Sequence, residues 1–360
     1  MLKRNTFLLL FCLFFGLAGA GQGLTVTAYY AGGPKQADSI AAEKISHIIF
    51  SFCHLKGNRL NVDNARDTAT IKALVGLKKK NPALKVLLSL GGWGGCEPCS
   101  DVFLKKENRN AFARSVKELN EYFGSDGIDL DWEYPAIEGH PGHPYRPEDK
   151  ASFTALVKEL RSVLGKRYEV TFAAGGFRKF IDESIDWKEV MPLVDRVYLM
   201  TYDLVNGYSK VTGHHTPLYS SPQQPESADA AINRLLALGV PAGKMVIGAA
   251  FYARVWEDVP PAGNGLYQSG KFKEATAFKD MPAAYPEDKG FVRYWDSTIN
   301  APYIYHPAQK LFITYDDRRS VMLKTRYAQN RGLNGIMFWE LTLDTGKDGL
   351  LEEIEKAAGF

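Results

Sequence analysis

The chain is short of cysteine, of net charge and of long apolar runs, and each shortage closes a class of explanation. Four cysteines in 360 residues are too few for a scaffold built on disulfides. Cys96-Glu97-Pro98-Cys99 is a single C-x-x-C with no second copy, so the paired spacing of a structural zinc site is missing. With 44 basic and 41 acidic residues the formal charge is only +3. Such a balance offers no electrostatic hold on nucleic acid or on an anionic membrane. Beyond the first residues no transmembrane candidate occurs, and no short-period repeat or low-complexity tract interrupts the chain.

What is present begins with an export leader. Met1-Leu2-Lys3-Arg4 is basic, Phe7 to Phe15 is apolar but too short to span a bilayer, and Ala18-Gly19-Ala20 offers small residues for cleavage. Residues 1–20 therefore read as a signal peptide, and the mature chain from residue 21 as secreted or periplasmic. Phe11 before Cys12 is a poor lipoprotein site, so no membrane anchor is expected. Without Lys3 and Arg4 the balance is 42 basic to 41 acidic, a charge of +1, which suits a neutral substrate. In an exported chain the C-x-x-C reads as a structural disulfide. Cys53 could instead bridge to one of the pair, and the connectivity stays open.

Short β-branched and aromatic runs alternate with amphipathic segments, the pattern of a parallel sheet covered on both faces by helices. The expected strands are Leu24–Ala31, His47–Phe52, Val86–Leu90, Gly127–Glu133, Val170–Ala174, Arg196–Tyr202, Met245–Phe251 and Gly335–Trp339. Eight such strands predict an α/β chain folded as a (β/α)8 TIM barrel, with its site at the strand C-terminal ends. The interval from about 255 to 311 is too long for a simple connection.

Asp126-Gly127-Ile128-Asp129-Leu130-Asp131-Trp132-Glu133-Tyr134-Pro135 is the segment richest in chemistry. On a strand, side chains alternate, so Asp129, Asp131 and Glu133 share one face and Ile128, Leu130 and Trp132 the other. Three acids about 7 Å apart along the backbone cannot all ionise cheaply, so one holds a proton near neutral pH. A protonated carboxyl beside ionised ones is what glycosidic cleavage needs. A solvated acidic turn and a hard-cation site are the bland alternatives.

The D-x-x-D-x-D-x-E pattern, continued by Trp-Glu-Tyr-Pro, resembles the signature of glycoside hydrolase family 18, the chitinases and their relatives. Ser89-Leu90-Gly91-Gly92-Trp93, Met200-Thr201-Tyr202-Asp203, Phe251-Tyr252-Ala253-Arg254 and Gly335-Ile336-Met337-Phe338-Trp339 resemble further family elements, in family order. Ala253 departs from an expected glycine. The resemblance implies a small α+β insertion between strands 7 and 8, at about 255–311; the length and aromatic content of that interval lead us to expect rings such as Tyr267, Tyr294 and Trp295 to wall a groove.

It also implies roles. Glu133 would be the general acid and base, and the substrate's own N-acetyl oxygen the nucleophile. Asp131 would orient the acetamide, Asp129 would tune Asp131, and Tyr202 would hold the acetamide oxygen. Trp339 would form the floor under the sugar, supported by Met200, with Tyr29, Phe52, Trp93 and Tyr252 as further wall candidates. Gly92 would let the loop turn beside the cleft. Asp203 would bind a sugar hydroxyl or pair with Arg254, itself a substrate-binding candidate. Trp132 is carried by the motif, although alternation turns it away. No cofactor or metal is implied. His140 with His143, and the adjacent His214 and His215, read as loop or rim. The implied function is a monomeric chitinase cutting β-1,4-linked N-acetylglucosamine in chitin or its oligosaccharides. An endo-β-N-acetylglucosaminidase acting on N-glycans, and a lectin without catalysis, are the alternatives.

Overall fold

The computed structural model describes residues 23–359, so the expected signal peptide lies outside the described residues. Eight parallel strands close into a barrel: β1 Thr25–Tyr30, β2 His47–Lys56, β3 Lys85–Gly91, β4 Gly127–Asp131, β5 Glu169–Gly175, β6 Arg196–Met200, β7 Met245–Ala250 and β8 Gly335–Trp339. Closure comes from β1, which pairs with β8 (Val26 beside Ile336) and with β2 (Tyr29 beside Ile49). The expected strands all occur. The fourth and the sixth end early, at Asp131 and Met200.

Alternation sorts the side chains into two layers. Tyr29, Ile49, Leu87, Tyr198, Val246 and Met337 fill the barrel interior. Val26, Ile48, Leu88, Ile128, Val170 and Ile247 point outward under the helices. Both faces are dry, which is why the strands read as continuous apolar runs.

The covering helices begin and end on local signals. Helix Ala65–Gly76 starts at Asn64, whose side chain accepts the Asp67 N–H. Helix Lys106–Phe123 stops at Gly124, which takes a left-handed φ of 73°. Ser227 caps Ala228–Ala237, and Asp317 with Ser320 forms a capping box on Arg318–Asn330. Among the described residues no helix is long and apolar enough to cross a membrane.

Between β7 and β8 the chain builds a five-stranded antiparallel sheet. Its order is Lys271–Ala277, Tyr252–Glu257, Leu311–Thr314, Ala301–His306, Val292–Asp296. Ala253, Val255, Ile304 and Ile313 pack on one face, and Trp256, Tyr305 and Phe312 on the other. Tyr294 stacks on Tyr303 at 5.0 Å, and Trp295 lies under the Arg319 guanidinium at 3.8 Å. Those two rings thus have partners of their own.

Candidate active site

Asp129 is the deepest acid. It is buried inside the barrel, where Tyr29 Oη (3.0 Å), Ser89 Oγ (3.0 Å) and Thr171 Oγ1 (2.8 Å) donate to it from β1, β3 and β5. Burial lifts its pKa to about 6, against the pull of those three donors. Asp131, two residues up the strand, is also buried, and its Oδ1 accepts no hydrogen bond. Burial, then the charges of Glu133 and Asp129, raise its carboxyl well above the ordinary range.

Glu133 follows the end of β4 and is half-buried. Burial pushes its pKa to about 7; the Tyr134 hydroxyl opposes the shift and the Asp203 charge adds to it. The three acids form a graded row, from fully satisfied at depth to partly open at the mouth. Near neutral pH the row retains a proton that the outermost carboxyl can give.

Two residues past β6, Tyr202 is buried near the row: burial and Tyr252, then the charges of Asp131 and Glu133, raise its hydroxyl well above the ordinary value. Its hydroxyl lies 3.9 Å from Met337 Sδ, and its ring meets Tyr252 edge-on at 6.2 Å. Asp203 takes a left-handed φ of 57°, and Arg254 grips its carboxylate with two bonds of 2.7 and 2.6 Å. The expected ion pair between Asp203 and Arg254 is therefore formed. Burial raises the Asp203 pKa, but the neighbouring His215 imidazole and Arg254 guanidinium outweigh it and hold the carboxyl below the usual range.

The aromatic floor is stacked. Trp339 lies face to face with Phe52 at 5.5 Å and 12°, with Tyr29 tilted against it at 5.9 Å. Gly92 belongs to this contact: a Cβ built on it would sit 2.3 Å from the Phe52 ring. Its φ is +79°, and its N–H donates to Asp131 O at 2.9 Å, binding the loop after β3 to the end of β4. Trp93 is 47% exposed, within 6.4 Å of Tyr134, 5.4 Å of His140 and 6.2 Å of Tyr208. Met200 joins the interior cluster with Tyr29 and Tyr198.

Two expectations need correction. Trp132 does not reach the cleft; it packs at 5.8 Å from Phe103 and 6.3 Å from Phe153, in the layer between barrel and helices. That is the face strand alternation gave it. His214 and His215 are no rim residues but fully buried. The disulfide joins Cys96 to Cys99, and Cys53 stays a buried free thiol, its pKa raised by burial.

Ser89, Thr171, Tyr134 and Tyr208 are site neighbours to which the motif reading gave no role. Ser89 and Thr171 carried a usable signal, being polar residues on the inward register of apolar strands. His140 and His143 lie ring to ring at 4.4 Å. Among the described residues no group of three or more His, Cys, Asp or Glu is arranged to hold a metal ion.

This row of acids at the C-terminal mouth of a (β/α)8 barrel defines the chain's class, and comparison with known proteins gives the same one. The sequence matches Glycosyl hydrolases family 18 over residues 25–344, and the chain belongs to that family. It is 36% identical to Chitinase A1 of Niallia circulans, over 77% of this chain and 43% of that protein. To Chitotriosidase-1 of Mus musculus it is 31% identical, over 84% of this chain and 68% of that one. The solved structure of a family 18 N-acetylglucosaminidase from Paenibacillus barengoltzii superposes with a TM-score of 0.85 at 36% identity, covering 93% of this chain and 99% of that one. The chain thus spans less than half the length of Chitinase A1.

Proposed function

We propose that this protein is an exported chitinase that hydrolyses β-1,4 linkages between N-acetylglucosamine units with retention of configuration. The observation that carries the reading is the graded carboxyl row: Asp129 satisfied, Asp131 with an unpartnered oxygen, Glu133 half-open with its pKa near 7. Glu133 donates its proton to the glycosidic oxygen as the bond breaks. The acetamido oxygen of the sugar attacks the anomeric carbon and closes a five-membered oxazolinium ring. The free Oδ1 of Asp131 suits the acetamido N–H, whose positive character grows as the ring closes. Tyr202 holds the acetamido oxygen in line, and Asp203, fixed by Arg254, lines the same pocket. Glu133 then takes a proton from the water that opens the ring. Trp339 packs under the sugar's C–H face, with Phe52 and Tyr29 behind it.

Among related activities, release of single N-acetylglucosamine units from chain ends is the second reading. Its support is that the Paenibacillus N-acetylglucosaminidase matches this chain over nearly the whole of both. One product profile separates the readings. Chitin oligomers of four to six units, acetylated and deacetylated at the cleaved position, are incubated beside a high-mannose glycopeptide. The proposal expects disaccharide and larger products from the acetylated oligomers alone. Monomer as the first product gives the second reading, and cleavage of the glycopeptide the N-glycan one. Equal rates on acetylated and deacetylated sugars would end the substrate-assisted mechanism.

A further inference from the structure

His215 is a buried titratable group that touches the machinery and has no part in the reaction as written. It is fully buried. Its Nδ1 lies 3.5 Å from Asp203 Oδ1, on the carboxylate that Arg254 grips through Nε and Nη2. Its ring is 5.2 Å from Tyr252, which in turn meets Tyr202 at 6.2 Å. Its backbone N–H donates to Thr314 Oγ1 at 3.1 Å, tying it to the antiparallel sheet.

Neither ring nitrogen makes a hydrogen bond. A buried polar group left unmade is costly and calls for an explanation. The charged or titratable groups that act on it are Asp203, Arg254 and Asp316, with Tyr252 against its face. Asp203 Oδ1 stands at the outer edge of hydrogen-bond reach, and contacts of this kind are often long in the empty site and tighten in the complex.

We propose that His215 is a positioning residue. Its imidazole N–H is the second holder of the Asp203 carboxylate, complementing Arg254, and its ring backs Tyr252, so that Asp203 and Tyr202 keep one geometry through the reaction. This rests on the roles given to Tyr202 and Asp203 above, and the test separates the two.

Kinetics on the N-acetylglucosamine tetramer are measured for His215→Leu, which removes the donor, and His215→Asn, which keeps an N–H. Asp203→Asn and the Asp203→Asn/His215→Leu double variant complete the set, each with a thermal melt. His215→Leu should lower kcat about tenfold with KM within about threefold, the scale of one lost hydrogen bond to a charged group. His215→Asn should recover most of that loss. In the Asp203→Asn background, His215→Leu should cost less than about twofold, because the partner it acts through is gone. If His215→Leu does not fold, His215→Phe keeps the ring packing and answers in its place. Equal losses for Asn and Leu that track the melting temperature, or additive losses in the double variant, would overturn the proposal. Unchanged kcat in Asp203→Asn would overturn the reading beneath it instead.

Discussion

Asp316 and Asp131 are both buried aspartates facing the upper barrel, yet they are treated in opposite ways. Asp316 Oδ2 accepts from Lys324 Nζ (2.7 Å), Thr216 Oγ1 (2.9 Å) and the Ala250 N–H (3.0 Å), while Ser320 donates to its other oxygen at 2.6 Å. Asp131 has an oxygen with no partner and two further acids as its nearest charges. Burial alone therefore does not mark a functional acid. The mark is burial with the partners withheld, which leaves the carboxyl's proton and hydrogen-bonding capacity for a ligand.

That contrast can be broken from either side. The largest effect expected is on turnover: Glu133→Gln should lower kcat by about 10²–10⁴-fold, the usual worth of a positioned acid and base, with the fold intact. Steady-state rates beside a thermal melt decide it, and a rate within tenfold of the parent would take the role from Glu133. Next comes Lys324→Met, which strands the Asp316 charge. Chemical denaturation should report a loss of about 3–5 kcal/mol, with kcat per folded molecule unchanged. A loss of activity in the folded fraction would mean that Asp316 belongs to the site after all.

The smallest effect sharpens the comparison through pH. Glu133 holds its proton to about pH 7 in the folded state against 4.5 ordinarily. Its burial therefore costs nothing below the lower value, costs progressively more as pH rises between the two, and levels off above the higher one. Glu133→Gln should stabilise the protein by on the order of 1–2 kcal/mol at about pH 8, after allowance for partial exposure, and hardly at all at about pH 4. A gain equal at both values would show that ionisation is not its source.

Periodicity made the barrel legible because every strand is covered on both faces, and strands of that kind advertise themselves as unbroken apolar runs. The acids were legible for the opposite reason, as polar residues at period two in a strand that should have none. The same rule would have found Ser89 and Thr171, whose hydroxyls hold Asp129. What periodicity could not supply is direction beyond a strand's end. Glu133 lies past the last paired residue of β4, so its place is set by the following loop. His214 and His215 looked like loop residues, and in secondary structure they are. They are buried because the antiparallel sheet, distant in sequence, closes over them: His214 packs at 5.6 Å from Tyr303, and the His215 N–H is met by Thr314. Trp132 shows the reverse error, where a motif outweighed a strand register that had placed the ring correctly.

The stacked pair Phe52 and Trp339 has a consequence for how such a site can drift over generations. Gly92 leaves an empty volume that the Phe52 ring fills, and Phe52 carries the face of Trp339. A larger residue at position 92 displaces the ring, and the displaced ring unseats Trp339. A smaller residue at position 52 removes the obstacle first. Of the two orders in which this pair of positions can change, only the second keeps the loop after β3 free of collision with the Phe52 ring at each step.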